Sequence, residues 1–126
     1  MEQLLALPDH TLGKELALYL QKKELCLIPG YLRHDCKHIL FGYEMDEEGE
    51  ARMQLYFLGN RHYSLPVVTT ALMCLVFMPD HWKKLYREFK RGRKVRLFKN
   101  ADFEQLISMR TETIRKQFGI SLTNQL

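Results

Sequence analysis

His34, Asp35 and His38 are the residues whose types and spacing could do chemistry. On an α-helix, positions one, three and four apart fall in a sector of roughly 100°, so all three side chains can converge on one point. Two histidines at i and i+4 with an acid between them is a spacing by which a helix holds a divalent ion. Imidazole nitrogen with carboxylate oxygen suits Zn²⁺, Fe²⁺ or Mn²⁺. A further ligand must come from elsewhere. Glu50, near the start of the next predicted helix, is the candidate. A plainer reading stands beside this one, because surface histidines at i and i+4 often bind nothing. His10, His62 and His81 fall in loops or at helix starts and read as solvated or capping residues.

Helices must present these groups. Segment 11–23 reads as a helix with Thr11 as N-cap. Leu12, Leu16, Leu18, Tyr19 and Leu20 form its apolar side, and Lys22 and Lys23 sit where the helix dipole favours cations. Pro29-Gly30 marks a boundary, either a turn or the start of the next helix. Segment 31–42 carries the two histidines and stops at Gly42. Five carboxylates then fall within seven positions, Glu44 to Glu50, at the N-terminal end of a helix predicted over 48–59. Further helices are expected over 64–78, over 81–91 with Asp80 as cap, over 103–109 with Asp102 as cap, and over 111–119 with Thr111 as cap. The β-branched run Val67–Thr70 admits a strand, but the length of segment 64–78 favours a helix. The expected fold is all-α, a single domain over 1–126 with six or seven helices.

Composition bounds the rest. A chain of 126 residues, 46% apolar and 27% charged, suits one core and excludes wholesale disorder. Cys26, Cys36 and Cys74 contain no C-x-x-C pair, which argues against a disulfide framework or a cysteine zinc knuckle and for reduced thiols. The opening MEQLLALPDH lacks the basic region of a secretory signal, so a cytoplasmic location is expected. The apolar run Val67–Met78 falls short of the roughly 20 residues of a membrane span. It reads as a buried core helix, or as one that touches a membrane surface.

Residues 83–99 hold nine Lys or Arg against the single acid Glu88, a net +8 in a chain of net +4. Nucleic acid, an anionic membrane and plain solvation compete for this segment. There is no nucleic-acid recognition motif, and Trp82, Tyr86, Phe89 and Phe98 read as core positions at helical spacing. The expectation is therefore no nucleic acid, and an anionic membrane surface ahead of plain solvation.

The run RHDCKHILFGYEMDEEGE matches H-D-x-x-H, eleven residues, then E, with His34, Asp35, His38 and Glu50 at the fixed places. H-x-L-x-G from His38 to Gly42 also fits, as does Gly49-Glu50. The chain resembles the coenzyme Q biosynthesis protein 4 family, the ubiquinone-biosynthesis accessory proteins. Thr11-Leu12-Gly13, the basic segment LYREFKRGRKVRLF and the closing ADFEQLISMRTETIRKQFGI extend the resemblance from about residue 10 to 120. Family members are longer at the N-terminus. Phe103 stands where Trp is usual, and the loop between Gly42 and Gly49 is acidic where the family has Pro or Thr.

The resemblance implies a divalent metal, zinc first with iron or manganese as alternatives. Its site would be His34, Asp35, His38 and Glu50, which are also the candidate catalytic residues, with Asp35 or Glu50 as ligand, general base or orienting group. It implies a prenylated quinone precursor as ligand and oxidative removal of the ring carboxyl at C1 as reaction. The isoprenoid tail would lie in a groove between the helices at 48–59 and 64–78. Docking at the inner face of the membrane, quinone-biosynthesis enzymes as partners and a homodimer follow as further expectations. A non-catalytic prenyl-lipid carrier is the second reading. A His-Asp phosphohydrolase recruiting His10 with Asp80 or Asp102 is the third.

Overall fold

The structure, a computed structural model, describes residues 1–96, 98 and 101–122. The described residues are all-α. Eight α-helices form: α1 (Glu2–Leu5), α2 (Leu12–Lys22), α3 (Leu32–Phe41), α4 (Glu47–Gly59), α5 (Leu65–Phe77), α6 (Trp82–Lys94), α7 (Phe103–Leu106) and α8 (Thr111–Phe118), with a 3₁₀ turn at Pro79–His81. Among the described residues there is no strand, and Thr11 and Arg110 make an isolated bridge. The chain forms two compact units, one of residues 1–42 with the described residues from 101 on, the other of residues 43–100 as far as described.

In the first unit α2 buries Leu12, Leu16 and Leu20, spaced four apart on one face, while Leu18, expected on that side, is exposed. Thr11 precedes α2, yet its hydroxyl donates to the Pro8 carbonyl instead of capping the helix. The free amides of the helix start go elsewhere. Leu12 N–H donates to Met109 O at 3.0 Å and Gly13 N–H to Ile107 O at 2.9 Å. Thr111 N–H returns a bond to His10 O at 3.0 Å. Each helix start is thus satisfied by the backbone of the other segment. Thr111 is accordingly the first residue of α8 and Arg110 its N-cap, not Thr111 as the sequence suggests. Asp102 does cap α7, accepting from Glu104 N–H at 3.1 Å.

In the second unit α4 lies between α5 and α6. Ala51 and Leu55 meet Ala71 and Cys74 of α5 and Leu85 of α6, with Leu58 and Met78 at the edge. Side chains fill this contact. Against α6 the backbones themselves touch. A Cβ on Gly59 would sit 2.1 Å from Phe89 O, and one on Gly92 1.9 Å from Tyr56 O. Glu88, the one acid of the basic segment, is buried between them. It accepts from Tyr43 Oη at 2.8 Å, from Arg52 Nη2 at 2.7 Å and from Arg91. Burial and the Glu88 charge push the Tyr43 phenol up, so it stays a donor. Asn60 ends the helix pair. Its amide donates to Gly92, Val95 and Arg96 carbonyls, and its oxygen accepts from Phe98 N–H.

Three further expectations are corrected here. Asp80 does not cap α6, because Pro79–His81 winds as a 3₁₀ turn and His81 takes the N-cap position. Trp82 and Tyr86 are exposed, because α6 turns Leu85, Glu88 and Gly92 inward instead. Helix α5 is not a core helix all round. Only Val67, Ala71 and Cys74 are buried, one stripe against α4. Lys99 of the basic segment lies outside the described residues.

Two substitutions test this packing. Gly92→Ala must separate the α4 and α6 backbones and is expected to cost about 3 kcal/mol, the upper end for overpacking. Glu88→Leu leaves Arg52 and Arg91 without their counter-charge and is expected to cost about 3 kcal/mol. Urea unfolding checks both, as a lower midpoint with an unchanged slope.

Candidate metal centre

Helix α3 runs LRHDCKHILF and ends at Gly42, which takes the left-handed conformation with φ 72°. Its last carbonyls lack helical partners. Arg115 of α8 supplies them, with Nε donating to Leu40 O at 2.9 Å and Nη2 to Ile39 O at 2.8 Å. A cation at a helix C-terminus is favoured by the dipole, and here it also pins the turn that carries His38.

His34 and His38 stand one turn apart with ring centroids 4.9 Å apart. His38 is only 2% exposed, while His34 and Asp35 are half-buried. Asp35 Oδ1 lies 3.4 Å from His34 Nδ1. With the proton on Nδ1, the ring would donate to the carboxylate and present Nε2 as the ligand nitrogen, the usual arrangement behind a metal-binding imidazole. Thus the first unit brings His34, Asp35 and His38 onto one flank of α3, as their spacing predicts.

The opposite flank of α3 lines a cleft of about 630 Å³ with α7, bounded by Leu32, Arg33, Cys36, Phe103 and Ile107. Arg33 stacks on the Phe103 ring, 5.1 Å from its centroid, and donates to Ala101 O. Burial, with Asp35 nearby, pushes the Cys36 thiol up to about 12. At neutral pH Cys36 is a small apolar group, not a thiolate ligand.

Glu50 belongs to the second unit, in the first turn of α4. Asp46 caps that turn, accepting from Gly49 N–H at 2.7 Å. Position 49 must be glycine, since a Cβ there would lie 2.0 Å from Glu44 O. The face of α4 with Ala51 and Leu55 meets α5, and that with Arg52 and Tyr56 meets α6. Glu50, Met53, Gln54 and Phe57 occupy the third face, and all but Glu50 are buried. Gln54 Nε2 donates to Glu50 Oε1, while Gln54 Oε1 is buried with no hydrogen-bond partner among the described residues. A buried amide oxygen without a donor is costly, and a ligand or cation beside Glu50 would satisfy it. Sequence reading missed Gln54. Its signal is a polar residue four after Glu50 on an otherwise apolar face.

The paired imidazoles of the first unit, one buried and one beside a carboxylate, are donors of the type a divalent cation takes. In the second unit the Glu50 carboxylate and the Gln54 amide oxygen are donors of a type such a cation also takes. His10 lies 4.0 Å from Glu15, and Asp102 is occupied as the α7 cap. His81 lies 3.7 Å from Glu48, and the His62 ring tilts against Phe57.

The fold belongs to an all-α class already seen in solved structures. A crystal structure of a provisionally assigned ubiquinone biosynthesis protein from Nostoc punctiforme matches with a TM-score of 0.63 and 23% identity, over 95% of this chain and 67% of that one. No family model and no curated protein sequence matches the chain.

The thiols give a check on burial. Cys26 is exposed, Cys36 and Cys74 are buried, and burial raises both buried thiols. One cysteine of the three should alkylate rapidly at pH 8 in the folded protein. Mass spectrometry should place the label on Cys26, and rapid labelling of Cys36 would contradict the packing of α3.

Proposed function

We propose that His34, His38 and Glu50 together hold one divalent cation, and that the site acts on a prenylated quinone precursor in ubiquinone biosynthesis. The observation that carries this reading is the paired imidazoles on one flank of α3, with Asp35 orienting His34. Two others support it. Glu50 and the orphaned Gln54 oxygen lie one turn apart on α4, linked by a hydrogen bond from Gln54 Nε2. The likeness in fold to the Nostoc punctiforme protein, itself provisionally assigned to ubiquinone biosynthesis, is in keeping with a role in that biosynthesis.

Bound there, the cation supplies Lewis acidity toward a ring carboxylate or phenolate. The chain's own residues do the rest. Asp35 holds the His34 proton on Nδ1 and so fixes the ring. Gln54 donates to one oxygen of Glu50, and the Glu50 carboxylate would bind the cation or take a proton from the head group. The reaction proposed is oxidative removal of the ring carboxyl at C1, in which the carboxyl leaves as CO₂ and a hydroxyl takes its place, with dioxygen as the external oxidant. The zinc, iron and manganese readings share this donor set.

Metal analysis of the purified protein tests the site. Near-stoichiometric metal is expected, lost in both His34→Ala and Glu50→Ala, and unchanged content in both variants would contradict it. Asp35→Asn should keep the site but weaken metal affinity by roughly 10- to 100-fold, as loss of an outer-shell partner does. Release of labelled CO₂ from a prenylated hydroxybenzoate, lost with His38→Ala, tests the reaction. Tight binding of that compound without release would favour the carrier reading.

A further inference from the structure

We propose that the outward face of α5, with Trp82 and the basic face of α6, is a docking surface for an anionic membrane. The inference concerns the second unit alone and does not depend on the metal. No Asp, Glu, Lys, Arg or His occurs between positions 63 and 79. Only one stripe of α5 is used against α4. The rest faces outward as a continuous apolar surface. Leu65 is 77% exposed, Val76 69% and Phe77 74%, with Leu72, Met73 and Leu75 beside them. A contiguous apolar patch of this kind marks an interaction site.

The occupant follows from length and charge. At thirteen residues α5 is about 20 Å long, shorter than the roughly 30 Å hydrocarbon core of a bilayer. Among the described residues no single helix is long and apolar enough to cross a membrane, and the chain bends by 103° between α5 and the segment Pro79–Lys94. Helix α5 would therefore lie in the interface with its apolar side in the acyl boundary. Trp82 is 51% exposed, and its indole N–H donates to Leu75 O at 3.0 Å, which holds the ring at the end of the patch. Trp is the side chain favoured at the level of lipid headgroups. Lys83, Arg87, Lys90 and Lys94 follow along one exposed face of α6, spaced to meet acidic headgroups. A second copy is a poorer occupant, since a twofold contact through this patch brings two such basic faces together.

Trp82 is the chain's one tryptophan, so the unmodified protein carries its own probe. With vesicles of phosphatidylcholine containing roughly 30% phosphatidylserine, we expect cosedimentation about tenfold or more above pure phosphatidylcholine, and a blue shift of the Trp82 emission. The double variant Leu72→Asp, Val76→Asp alters only exposed positions. It should lose both signals with an unchanged circular dichroism spectrum. Lys83→Glu with Arg87→Glu should lower the preference for anionic vesicles about tenfold. Absent binding, equal binding to both vesicle types, or binding indifferent to the aspartates would overturn the proposal. So would a concentration-dependent dimer that the aspartates dissolve, since a second copy would then be the occupant.

Discussion

His38 is an imidazole almost wholly removed from water, and that burial constrains the arrangement around it. A buried polar ring stabilises a fold only when its nitrogens are satisfied. The helix that holds it is fixed at its end by its own Gly42, whose N–H donates to His38 O, and by Arg115 on the Ile39 and Leu40 carbonyls. The neighbouring His34 is turned by Asp35. A neutral, oriented imidazole pair is what metal binding requires, because a protonated ring has no lone pair to give.

Polar groups organise the second unit in a different way. Glu88 collects two arginines and a tyrosine beneath a helix whose outer side is basic. Its carboxylate offsets the repulsion of the arginines and lets α6 settle against α4 at Gly59 and Gly92. Asn60 then satisfies three carbonyls at the end of α6. With α6 held inward by these groups, the apolar side chains of α5 that α4 does not cover are left facing outward.

The all-α class and most helix spans were legible because periodicity, Gly42, Gly119 and Asp102 are local signals. What failed was tertiary. Thr11 does take the N-cap position of α2, though without a side-chain bond, whereas Thr111 is the first residue of α8, because each helix start is satisfied by the other segment's backbone. The single turn α1 is too short to carry a period. The charge run hid Glu88, which sequence alone reads as one acid among solvated bases. Trp82 and Tyr86 have core-like types and exposed positions, since the buried stripe of α6 falls on Leu85, Glu88 and Gly92. At the candidate site, the spacing of His34, Asp35 and His38 foretold their shared flank. Gln54 was not foretold, because its role rests on burial that no pattern shows.

The central claim is that two particular imidazoles bind one cation. Ring ¹⁵N chemical shifts of the five histidines during Zn²⁺ titration test it most directly. The account predicts that His34 and His38 move to metal-bound values together, while His10, His62 and His81 stay in place. Equal movement of all five, or none in His34 and His38, would contradict it.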